Sequence, residues 1–354
     1  MSDIKVNKIK SLNGTNGPEF SGIVEMNSTG AMTLPRGNTA YRGGRGRGVF
    51  GGGYDGGSPW VTINTIDYVT IASLGNAHDF GDLSEKRSAK GGGSSATRGC
   101  FIAGRFPSAP SIQNVIDYIE IQSTGNAMDF GDLIHSGIPN QKGTSNQIRS
   151  VYGGGYINPG SNLHVNSIGY FTIATKGNSS DFGSFALFGR KQFSGSNGTR
   201  GIFAGNRGAN PGSPGVNTNN IEYVTLMSIG NAQDFGDLSE IRIQSNGSMT
   251  SSTRMVMQGG INPSAVSTMD YITMASTGDA IDFGDVSTTV REISSSTSNS
   301  TRGVFNTGSE GGGTTNNAIE YVTISTLGNS QDFGDLTSAR GVAGSVSDSH
   351  GGIV

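Results

Sequence analysis

Cysteine is almost missing from this chain: Cys100 stands alone among 354 residues. That excludes an internal disulfide framework and leaves packing and strand closure to hold the fold together. Tryptophan is as scarce, with Trp60 the single example, and charge is sparse, at 14% of residues with a formal balance of −3 and an isoelectric point near 5.8. Such a balance supplies no electrostatic drive toward nucleic acid or an anionic membrane, and neither is expected as a partner. No stretch approaches the roughly eighteen apolar residues of a membrane span. The first residues, Met1 to Lys10, carry charges where an export signal needs an apolar run. The chain is therefore expected to be made in the cytoplasm without a signal peptide. The four histidines, His78, His135, His164 and His350, lack the i, i+2 or i, i+4 pairing of a metal site and read as surface residues. A nucleophile elbow, a Cys–His pair and an isolated carboxylate pair are all absent. No catalytic residue, metal or cofactor is expected, and the protein reads as a non-enzyme.

What the chain does have is glycine, 58 of them, which together with the 33% apolar residues brings the composition to about half, the usual share for a globular protein. It also has one phrase repeated six times: an acidic-Tyr segment, a Gly-Asn pair, then Asp-Phe-Gly-Asp. The copies begin at Ile66, Ile116, Ile168, Ile221, Met269 and Ile319, and the second half reads DFGD at Asp79, Asp129, Asp234, Asp282 and Asp332 but DFGS at Asp181. A period near fifty residues is that of a propeller blade or a solenoid.

Each unit reads as four strands. Arg47 to Gly53 is a short apolar strand stopped by glycines, repeated from Arg98, Arg149, Arg200, Arg254 and Arg302 (strand b). Ile66 to Ile71 alternates apolar and polar residues at period two (strand c). Gly75-Asn76 and its equivalents supply residues that tolerate positive φ in a tight hairpin, and Asp79 to Leu83 is strand d. Arg87 to Thr97 is a run of small residues suited to an innermost strand, a, where blades crowd around an axis. Cys100 replaces the Val or Ile of sister strands b and is expected to be a buried strand residue.

Double glycines ending strand b (Gly51 to Gly53, Gly154-Gly155, Gly259-Gly260), the strand c tyrosines (Tyr68, Tyr118, Tyr170, Tyr223, Tyr271, Tyr321) and the later arginines (Arg87, Arg190, Arg242, Arg291, Arg340) resemble the kelch repeat. Phe80 and its equivalents stand where kelch repeats carry tryptophan, and Ala103-Gly104, Ala204-Gly205 and Thr307-Gly308 replace the double glycine. The resemblance implies an all-β propeller over residues 19–354, preceded by an arm over residues 1–18. The ends carry fragments: Arg340 to Val354 reads as strands a and b, and Glu25 to Met32 aligns with the c–d hairpin of Glu120 to Met128. Joined, they predict a seventh blade, closed by N-terminal c–d strands and C-terminal a–b strands, so that no inner edge stays open. Six blades with an N-terminal extension is the alternative.

Three motifs invite chemistry. DFG is a kinase signature, but here it recurs in every repeat without a Walker-type loop, Val-Ala-Ile-Lys or His-Arg-Asp element. It reads as structure, with Phe packed between blades, Gly allowing a bend and Asp bonding nearby amides. Clustered aspartates also suit calcium, yet no EF-hand or nonapeptide spacing is present. Tyr41 to Gly48 imitates an RGG segment and a GxGxxG loop, but it falls at an expected a–b hairpin with no βαβ unit following.

Binding is expected on the b–c connections, the irregular part of the repeat. There Tyr54, Asp55, Trp60, Arg105, Phe106, Tyr156, Asn206 and Arg207 combine aromatic and polar groups on a rigid scaffold. The N-terminal phrase from Ile4 through Phe20 into Val24 resembles the opening of structural proteins from tailed phages of marine bacteria. That resemblance implies a virion component, a tail or fibre part or a capsid-surface protrusion. Its arm (Ile4, Val6, Ile9, Phe20) would dock onto other virion proteins while the propeller meets a host glycan or receptor. A cellular kelch-like scaffold or lectin, and a propeller enzyme acting on glycans, are the alternatives.

Overall fold

The computed structural model describes residues 46–55, 61–88, 91–104, 114–134, 142–157, 163–208, 216–243, 247–287, 295–308, 315–341 and 343–353. Its strands form six four-stranded antiparallel sheets, each ordered a-b-c-d, the blades of a β-propeller. Blade 2 shows the pattern. Gly91–Ser94 is strand a, Arg98–Ile102 strand b, Val115–Glu120 strand c and Met128–Asp132 strand d. Strands a of blades 3 to 6 are Lys142–Ser145, Arg190–Ser196, Ser248–Thr250 and Ser296–Ser298. These innermost strands are shorter than the Arg87 to Thr97 span expected from sequence, at four residues in blade 2.

Blade 1 closes the ring. Its strands b, c and d, Arg47–Tyr54, Thr62–Thr70 and His78–Asp82, come from the start of the described chain, and its strand a, Gly344–Ser347, comes from the end. Gly48 pairs Ser347 and Gly51 pairs Gly344 across this seam. The seven-blade expectation is thus corrected to six. The C-terminal fragment completes blade 1 instead of starting a new one, since blade 1 would otherwise present a bare edge at its strand b. The segment expected as a further strand b is a 3-10 turn, Gly351–Ile353. Blade 1 has no a–b hairpin, so Arg47 simply opens its strand b. Residues 41–45 and the Glu25 to Met32 fragment lie outside the described residues.

Neighbouring blades are joined by a device repeated all the way round. The Gly-Asn turn of each blade donates its glycine N–H to the Phe carbonyl of the preceding blade's DFG, from Gly125 to Phe80 (2.7 Å) through to Gly75 and Phe333 (2.9 Å) at the closure. The turn's Asn Oδ1, or that of Asp279 in blade 5, accepts the N–H of the fourth residue of the motif, as Asn126 does from Asp82 at 3.1 Å and Asn76 from Asp335 at 3.1 Å. The aspartate thus contributes its backbone here, and the Asn side chain is the bonding group.

Each strand b arginine lies over its strand c tyrosine, with 4.2 to 4.6 Å from Cζ to ring centroid. It also donates Nη1 to a carbonyl of the next blade, as Arg47 does to Ile121 and Arg302 to Ile71. The tyrosine meets the buried Phe of the DFG motif edge-on at about 6 Å, as Tyr68 meets Phe80. The apolar core therefore lies between blades, and Cys100 is buried in it as the strand reading expects.

Candidate functional site

Strand polarity sorts the connections. The b–c and d–a connections emerge on one face of the disc, the a–b and c–d turns on the other. On the b–c face, Tyr54 is 5% exposed and exchanges backbone hydrogen bonds with Gly341 at 3.0 Å. Asp55 closes its own loop, its N–H reaching Val61 O and its Oδ1 accepting Val61 N–H, both at 3.0 Å. Asn206 is fully buried and donates Nδ2 to Phe188 O at 2.7 Å, which makes it part of the d–a framework. Arg207 is half-buried at the end of blade 4's strand b, Arg200–Arg207, directly opposite Arg190 of strand a. Tyr156 pairs His164 in a two-stranded ribbon inside the blade 3 connection, formed by Tyr156–Ile157 and Leu163–His164. Its side chain, together with Trp60, Arg105, Phe106, Ile4, Val6, Ile9 and Phe20, lies outside the described residues. Of the expected binding residues, then, Asp55 and Arg207 stand at the rim while Tyr54 and Asn206 serve the blades.

The sequence reading took the strand c acids as repeat framework and did not foresee what they hold. Asp117, Asp270 and Asp67 are fully buried and pair with Arg87 (2.9 Å), Arg242 (2.7 Å) and Arg340. Each also accepts bonds from the second residue after strand d of the preceding blade, Ser84, Ser239 and Thr337 respectively. In blade 4 the same place is taken by Lys191 and Glu222. Blade 3 lacks the acid: Gly169 leaves the space that the Tyr152 hydroxyl fills, where a Cβ would come within 2.4 Å of that oxygen. These carboxylates act as latches between blades. Burial pushes the partner arginines and Lys191 below their ordinary values, and the acid opposite each opposes that shift.

Along the axis lies a polar cavity of about 90 Å³ walled by strand a residues and His350. Serine hydroxyls run round it in one sense, each donating to the preceding blade's carbonyl: Ser94 to Ser347 O (2.7 Å), Ser145 to Ser94 O (2.9 Å), Ser196 to Ser145 O (2.6 Å) and Ser347 to Ser298 O (2.8 Å). Blade 5 has Thr250 there, and its Oγ1 accepts Gly351 N–H at 3.2 Å. The C-terminal turn thereby stoppers the cavity on the a–b face.

His350 locks that stopper. Its Nδ1 accepts Gly352 N–H at 3.0 Å, and its Nε2 lies 3.2 Å from Ser94 O, an acceptor only, so Nε2 carries the single proton. Burial pushes this imidazole down to about 4. The surface reading is thereby corrected for His350, held in the cavity mouth, and for His164, 7% exposed; His78 is exposed as expected, and His135 lies outside the described residues. Both corrected histidines sit where the chain departs from its repeat, so periodicity carries no signal for them.

Among the described residues no group of three His, Cys, Asp or Glu is arranged to hold a metal ion. No protein-family model matches the chain, and a search of curated proteins finds no similar sequence.

Proposed function

We propose that this protein is a non-enzymatic structural component of a tailed-phage virion, part of a tail or fibre or a capsid-surface protrusion, displaying a kelch-like propeller whose b–c face binds a host glycan or protein receptor. The observation that carries the reading is the polarity of blade 1. Strand b begins at Arg47 on the a–b face and ends at Tyr54 on the b–c face. Residues 1–45 therefore join the disc on the side opposite the irregular connections. An arm that docks onto other virion proteins would leave the b–c rim facing outward, which is the arrangement a display module needs. The buried ion pairs support the non-enzymatic part, because the charged groups that most resemble chemistry are engaged in holding blades together. The double glycines and the acidic-Tyr strand c support the kelch-like assignment.

The test is cryo-electron microscopy of purified particles. Density for the disc with residues 1–20 against neighbouring virion proteins and the b–c rim in solvent is the expected result. A b–c rim packed against the particle, or particles that lack the chain altogether, would overturn the reading.

A further inference from the structure

Blades 1, 2 and 5 latch with an arginine, and blade 4 does not. The connection leading into blade 4 carries Gly189 where the one leading into blade 2 carries Arg87: Gly155 N–H donates to Gly189 O (2.9 Å) as Gly53 N–H donates to Arg87 O (3.0 Å). The space so left is filled from two sides. Lys191 reaches Glu222 in place of the guanidinium, and a Cβ at Gly189 would fall on the side-chain oxygen of Asn206. An amine, a carboxylate and a carboxamide are thereby enclosed together, with Lys191 and Asn206 fully buried and Glu222 2% exposed.

Strand register sets the amine against the carboxamide. Lys191 and Asn206 are directly opposed across strands a and b of blade 4, so their side chains leave the same face of the sheet with Cβ atoms about 5 Å apart. That gap is within the span of the flexible four-carbon lysine stem. Asn206 Nδ2 donates to Phe188 O at 2.7 Å, which orients the carboxamide, and its Oδ1 is buried with no hydrogen-bond partner among the described residues. The Phe185 ring lies 4.5 Å from the Lys191 amine and belongs to an apolar cluster with Phe182 and Phe203. Burial pushes the Lys191 ammonium below its ordinary value while Glu222 opposes that shift, and a desolvated lysine that gives up its proton is a nucleophile. The arginines of the other latches stay protonated and could not act in this way.

We infer that Lys191 and Asn206 join through a side-chain amide, formed by the folded chain itself with Glu222 as proton carrier. Glu222 takes one proton from the ammonium, and the freed Nζ lone pair attacks Asn206 Cγ. Negative charge then collects on Oδ1, which protonated Glu222 is there to neutralise. The Nζ–Cγ bond forms and the Cγ–Nδ2 bond breaks; Nδ2 leaves as ammonia with a second proton from Nζ, relayed through Glu222. This exchange of one amide for another needs no oxidant, reductant or further reactant. The bond ties strand a of blade 4 to its strand b in a chain whose single cysteine excludes an internal disulfide, and it stands independently of the display reading.

Intact-mass spectrometry and a protease map of the purified full-length chain test the inference. The parent is expected to be one ammonia lighter than its sequence, with a branched peptide linking Lys191 to Asn206. Glu222→Gln should have its full sequence mass and yield the two peptides separately. Lys191→Arg, which keeps a buried cation beside Glu222, should also remain unlinked, and circular dichroism of both variants checks folding. A parent at full sequence mass would overturn the proposal whatever the variants do. So would an ammonia loss mapped only to an Asn-Gly pair such as Asn197-Gly198, the mark of a cyclic imide, or a link that persists unchanged in Glu222→Gln.

Discussion

Single residues carry the sixfold plan, and glycine shows how. Gly131 in the DFG of blade 2 has φ +147°, and a Cβ there would lie 2.5 Å from Gly177 O of the neighbouring turn; Gly177 has φ +148° with nothing within 4 Å of its missing Cβ. Both positions disfavour an L side chain, but only the first also forbids the contact between blades. Gly177→Ala is expected to lower stability by about 1–2 kcal/mol from backbone strain alone. Gly131→Ala should cost roughly 2 kcal/mol more, because backbone atoms cannot yield as a side-chain tip does. Urea denaturation of the two variants decides: equal losses would mean that conformation, and not the blade contact, holds glycine at Gly131. The sequence revealed that glycine is required here and suggested a bend. It concealed the close approach, since the partner lies about fifty residues away. The buried ion pairs were hidden for the same reason. Arg87 and Asp117 are both visible in the repeat as separate marks, and only folding makes them one group.

At the scale of elements, closure depends on one short strand. Blade 1 draws strand a from Gly344–Ser347 and the other three from the beginning of the described chain. Removing residues 343–354 should leave blade 1 with an open edge, take the stopper from the cavity, and cause aggregation or a large fall in Tm. Removing residues 1–36 should leave Tm within a few degrees, because each of the six blades already has four strands among the described residues. A melting curve lowered as much by the N-terminal deletion as by the C-terminal one would contradict six-blade closure. The repeat made strands b, c and d legible nearly to the residue. The blade count was not, because Gly352 to Val354 resembles a strand b by composition while a single unpaired edge, at Val49 and its neighbours, decides what the preceding segment joins.

For the whole molecule, the axial stopper makes stability depend on pH. His350 is held neutral with its folded value near 4 against an ordinary 6.5. Between those values the unfolded chain takes up a proton that the folded one refuses. Stability is therefore full above pH 6.5 and declines as pH falls toward 4, by up to about 2 kcal/mol for this half-buried ring. Asp348, raised by burial, acts in the opposite sense: its contribution is present at low pH and is lost as pH rises through its folded value. The comparison that isolates the histidine is His350→Gln against the parent, by urea denaturation at pH 7 and pH 4.5, where the variant should lose less stability on acidification. An identical loss in both would rule out the lock. The sequence by itself determined the strands, their order in a blade and the propeller class, because these follow from local alternation, turn residues and a fifty-residue period. Only the tertiary structure decided the number of blades and the pairing of buried charges. Each of these depends on which distant segment fills an edge or a gap, and that is settled by closing the ring.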